Sequence, residues 1–162
     1  MPIVRHQPPA RFDLCGESAH RGNWYSKPPS ARFCEAIRKH TGWIEHRLDR
    51  TCGHGNLALC RGTACLGATG LHGEGFDGHT VNGEFRLGTR SSMDDWSHEW
   101  VVVKKAAANG RDLLFDPTAK QFWQDLRGRP ERFTRRRYVG SDHPSTQTPF
   151  ESVGCTLGED ED

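Results

Sequence analysis

Two uninterrupted apolar runs, WVVV at 100–103 and LLF at 113–115, limit the architectures open to this chain. Each has the length and composition of a strand covered on both faces. The link Ala106–Gly110 is short enough to return the chain as an antiparallel neighbour. His98 stands at the mouth of the first run and Asp116 closes the second. The start of one antiparallel strand lies beside the end of the next, so these two side chains are expected to meet. A histidine held by a carboxylate is an oriented base.

A nucleophile for such a base is sought upstream. In TCGHGNLALC, Cys52 follows Thr51, a residue able to cap a helix that starts there. Thiolates form when a helix N-terminus or an imidazolium lowers the thiol pKa from about 8.5. Cys52 would have the first by position and the second from His98. The main-chain amides of Cys52 and Gly53 are candidate oxyanion donors, because Gly53 leaves room for a carbonyl. The expected site is therefore Cys52, His98 and Asp116, with Cys60 and Cys65 as competing thiols. Each residue also has a plainer reading. Cys52 would be a small buried hydrophobe, His98 a surface histidine, and Asp116 the N-cap of a helix starting at Pro117.

Along the chain, residues 1–29 are expected as an irregular lead-in anchored by Trp24 and Tyr25. A single catalytic domain over 30–139 follows, then a flexible, acidic-ended tail over 140–162. A helix is predicted after Ser30, with Phe33, Ile37 and Cys34 facing the core and Gly42 ending it. A second helix covers 52–66, and the four glycines of 68–80 read as a loop. Residues 80–87, TVNGEFRL, read as a strand, an Asn-Gly turn and a second strand. Helical spacing joins Phe122, Trp123 and Leu126 after Pro117.

With 162 residues, 34% of them hydrophobic, the chain suits one domain with a modest core. The net charge of +1 gives no global pull toward nucleic acid or an anionic membrane. No apolar run approaches membrane-spanning length, and MPIVRHQPPARF has no signal-peptide core. The expected location is cytoplasmic, or reached by a specialised secretion route. Six cysteines without a CxxC argue against a zinc ribbon or a thioredoxin motif, and the expectation is a thiol-bearing protein. The spacing of Cys52, His54, Cys60, Cys65 and His72 matches no common zinc pattern, so neither metal nor cofactor is expected. The basic stretch 127–137 reads as a solvated face.

Cysteine at a helix start, histidine at a strand start and aspartate at the next strand's end resemble the papain/transglutaminase-like superfamily. The similar pieces are CGHGNLAL and HEWVVV…LLFDPTAKQF, within residues 52–123. Within that superfamily the pattern most resembles bacterial papain-fold toxin and effector domains that deamidate glutamine. The chain departs from the papain type in having no glutamine between Gln7 and Cys52. The resemblance implies an α+β fold with a papain-like core, a cysteine-bearing helix packed on a small antiparallel β-sheet. It also implies Cys52 as nucleophile, His98 as base and acid, and Asp116 as orienting residue. The expected activity is cysteine-dependent hydrolysis of amides in a protein or peptide substrate, foremost a protein-glutamine deamidase. The alternatives are a cysteine peptidase, a cell-wall amidase, a transglutaminase, or a non-catalytic module binding through 127–137.

Overall fold

The computed structural model describes residues 12, 14–16, 23–40, 57–88, 95–122, 125–141 and 143–153. They form an α+β fold: two helices and a six-stranded, wholly antiparallel sheet. In chain order the elements are β1 (Trp24–Tyr25), α1 (residues 31–40), α2 (Leu57–Gly73), β2 (Gly78–Arg86), β3 (Asp95–Val103), β4 (Leu113–Asp116), β5 (Tyr138–Gly140) and β6 (Gln147–Pro149). The strands lie in the order β1-β4-β3-β2-β5, and β6 joins β2 beside β5.

Both apolar runs are strands, and the reason is visible in the core. Val101, Val103, Leu113 and Phe115 face α1 and α2, where Phe33, Ile37, Ala64, Ala68 and Leu71 cover them. The alternate residues Trp100 and Leu114 face a second, aromatic cluster built from Phe12, Phe85, Phe122, Phe133 and Tyr138. A strand buried on both faces has no position for a polar side chain in its middle, hence WVVV and LLF. Helix α1 begins as its sequence indicates: Ser30 Oγ accepts the Phe33 amide at 3.1 Å.

Four expectations need correction. The glycine-rich 68–73 stretch is not loop but the last part of α2, which runs to Gly73. A Cβ on Gly67 would lie 3.8 Å from the Phe115 ring, and one on Gly70 3.1 Å from His40. These positions let α2 lie close against β4 and α1, and that packing offsets the helix cost of about 1 kcal/mol per glycine. Asn82-Gly83 is not a turn either, because β2 passes through it without interruption. At Gly83 a Cβ would come within 2.8 Å of the Trp100 indole and of Gly140 Cα. This glycine serves close approach between β2, β5 and the indole beneath them. Gly83→Ala is expected to cost about 2–3 kcal/mol by overpacking. A guanidinium midpoint that falls at unchanged m-value would show it.

The third correction concerns the segment after β4. Pro117 opens no α-helix among the described residues; a turn leads into a 3-10 helix at Ala119–Phe122. Phe122 and Leu126 are still buried. The last concerns the ends. Residues 140–153, expected as flexible tail, supply β6, the last residue of β5 and the buried Phe150, which packs on the helix side of the sheet. Strand pairing with β2 and the one buried aromatic together dock this polar stretch. At the other end Trp24 and Tyr25 do anchor the lead-in, through β1 pairing with β4.

The cysteines also differ from expectation. Cys15 and Cys34 form a disulfide with Cα atoms 4.7 Å apart, tying the lead-in to α1. Cys65 is disulfide-bonded as well. Among the described residues no helix is long and apolar enough to cross a membrane.

Candidate active site

The β3–β4 register pairs Val101 with Phe115 and Val103 with Leu113. Continued by one step it sets Asp116 across from Trp100, with His98 two residues further along the same face. Diagonal neighbours of this kind are within reach of long side chains. The two residues do meet: His98 Nε2 lies 2.8 Å from Asp116 Oδ2, and both side chains are fully buried. The imidazole is surrounded by Phe85, Trp100, Phe122 and Tyr138, with the Phe122 ring edge-on at 4.8 Å.

Asp116 gathers more than the histidine. Tyr138 donates its hydroxyl to the same Oδ2 at 2.6 Å. Oδ1 accepts the Thr118 amide at 3.0 Å and the Thr118 hydroxyl at 3.2 Å. Gln121 Nε2 in turn donates to Thr118 Oγ1 at 3.0 Å. An ionised carboxyl group offers about four lone-pair sites, and here all four are used. Three of the partners are donors of fixed or preferred sense, and an ionised carboxyl group can only accept. The fourth partner must then be a donor too, which places the proton of neutral His98 on Nε2. Nδ1 is the ring atom left to take up a proton. Burial, then the charge and hydrogen bond of Asp116, push the Tyr138 phenol well above its ordinary pKa, so it stays a donor at any physiological pH.

Sequence reasoning expected His98 and Asp116 to meet, as they do, and did not foresee Tyr138 or Thr118. The Asp-Pro-Thr order does carry a signal for Thr118, since aspartate commonly bonds the amide two residues on. Nothing local marks Tyr138, which arrives from a strand 22 residues beyond Asp116.

Cys52 and Gly53, the expected nucleophile and oxyanion donors, lie outside the described residues. His98 and Asp116 point to the aromatic face, whereas α1 and α2 cover the opposite one. Cys65 is removed as a competing nucleophile by its disulfide.

Two of the arginines proposed for binding are already occupied. Arg137 donates to the carbonyls of Arg86 and Leu87 at 2.8 and 2.9 Å, and Arg135 to that of Tyr138 at 2.8 Å. These guanidiniums hold the 130–138 segment against the sheet edge. Among the described residues, no cluster of three His, Cys, Asp or Glu could hold a metal ion. An open depression of about 320 Å³ is lined by His72, Gly75, Phe76, Asp77 and Glu151, away from His98 and Asp116. Comparison with protein-family models, curated proteins and solved structures found no match.

Proposed function

We propose that the protein is a cysteine-dependent amide hydrolase of papain-like type, acting on protein glutamine side chains. The observation that carries the reading is the buried His98–Asp116 bond at 2.8 Å, formed by residues 18 apart in sequence. In this reading Cys52 gives its proton to His98 Nδ1 and the thiolate attacks the carboxamide carbon. Main-chain amides at Cys52 and Gly53 hold the oxyanion. The C–N bond breaks as His98 returns the proton to the departing ammonia. Water then loses a proton to Nδ1 and attacks the thioester; the C–S bond breaks, and the thiolate takes the proton back. Asp116 keeps Nε2 protonated and supports the imidazolium through each transfer.

Peptide cleavage and transglutamination use the same steps with a different leaving group or acceptor. The binding-module reading is weaker, because Arg135 and Arg137 are spent on main-chain carbonyls. The disulfides at Cys15, Cys34 and Cys65 favour an exported protein over one resident in a reducing cytosol. The deciding experiment incubates the protein with glutamine-containing protein substrates and measures ammonia and chain length together. Ammonia released without cleavage, and only with an intact His98, is the expected result. Fragments without ammonia would make it a peptidase. Neither product across a broad substrate panel would count against hydrolysis.

A further inference from the structure

Tyr138 has a place in this site that no motif assigned to it. We infer that Tyr138 is a positioning residue whose phenol, by sharing Asp116 Oδ2 with His98 Nε2, sets the proton affinity of the imidazole. The inference rests on the proposed role of His98 as base. Both donors converge on a single oxygen, at 2.6 Å from the phenol and 2.8 Å from the imidazole. Short O–H···O contacts to a charged acceptor are the stronger kind. The phenol therefore draws on the same negative charge that stabilises the imidazolium.

Tyr138 is held where it can do this. Its ring is buried, stacked on Trp24 at 5.2 Å and 12° and edge-on to Trp100 at 5.3 Å. Its backbone pairs with Phe85, and Arg135 closes on its carbonyl. Among the described residues, the charged and polar groups facing the pair include Asp116 from β4, Thr118 from the following turn and the phenol from β5. Phe85, Phe122 and Trp100 also stand around the His98 ring. Without the phenol, the charge on Oδ2 is left to Nε2–H alone, and the protonated imidazole gains. With a more acidic phenol the opposite follows.

The test is the His98 titration, followed by nuclear magnetic resonance of protein labelled with 15N-histidine. Tyr138→Phe keeps the stacked ring and should raise the His98 midpoint by roughly half to one pH unit. Biosynthetic 3-fluorotyrosine makes the phenol more acidic and should lower it. Only Tyr25 and Tyr138 carry that label, and Tyr25 packs on the helix side of the sheet. Opposite shifts from the two changes are the expected result. Shifts of the same sign, or none, overturn the inference, as does a His98 signal fixed in one form from about pH 5 to 9 in all three proteins. If Tyr138→Phe fails to fold, the fluorinated protein decides alone. No substrate enters the measurement, so its failure leaves the hydrolase reading standing. A hydrolase reading that fails on ammonia release leaves the titration result standing in turn.

Discussion

Asp116→Ala is expected to cost about 4 kcal/mol of folding stability, among the largest effects a single substitution here can have. The reason is the number of donors it strands. The Tyr138 hydroxyl, His98 Nε2–H and the Thr118 amide and hydroxyl all end on this one carboxyl group. Each unsatisfied buried donor costs about 1–3 kcal/mol, reduced where a water can enter the space left behind. A domain with a total stability of about 5–15 kcal/mol would lose a large share of it. Asp116→Asn should be milder, about 2 kcal/mol, because an acceptor oxygen remains. Its amide nitrogen, however, would donate to His98 Nε2 and drive the imidazole proton to Nδ1, the wrong atom for a base. Chemical denaturation of both variants checks the order. A loss below about 1 kcal/mol for Asp116→Ala would mean the carboxyl group is not the acceptor for these donors.

Cys52→Ala should have the larger effect on turnover, a loss of at least about a thousandfold, with the melting temperature nearly unchanged. His98→Ala should lose a similar amount. The double variant should be little worse than either single one, because two residues serving one proton transfer do not contribute independently. Losses that multiply would mean that the thiol and the imidazole act separately. A Cys52→Ala protein that keeps its ammonia release would remove position 52 from the chemistry altogether.

The parts of this fold that local pattern encodes were legible in the chain. WVVV and LLF announce buried strands, Ser30 announces a helix start, and the antiparallel geometry of the two strands brings His98 to Asp116. Glycine is where legibility ends. At Gly67, Gly70 and Gly83 it reports a neighbour pressing close, which only the tertiary structure reveals, so a helix looked like a loop and a strand like a turn. Long-range partners were equally hidden. Tyr138, Phe150 and the Cys15–Cys34 disulfide act on residues far away in sequence. The lead-in and the tail were discounted for their polar composition, although the first is held by Phe12, Cys15 and Tyr25 and the second by Phe150. At the site, the imidazole and its carboxylate were recognisable from position alone. The acceptor demand on that carboxylate was not, because its donors come from a turn and from β5, two strands beyond β3 in the sheet.

In the proposed hydrolase the sulfur at position 52 is a thiolate made by His98. The most direct measurement is the pH dependence of iodoacetamide alkylation at that position, with every cysteine's state mapped by peptide mass spectrometry without reduction. Cys52 is expected to be unpaired and to alkylate well below the ordinary thiol range of about 8.5, and His98→Ala to move that profile upward. Finding Cys52 linked to Cys65, or alkylating with an ordinary profile indifferent to His98, would contradict it.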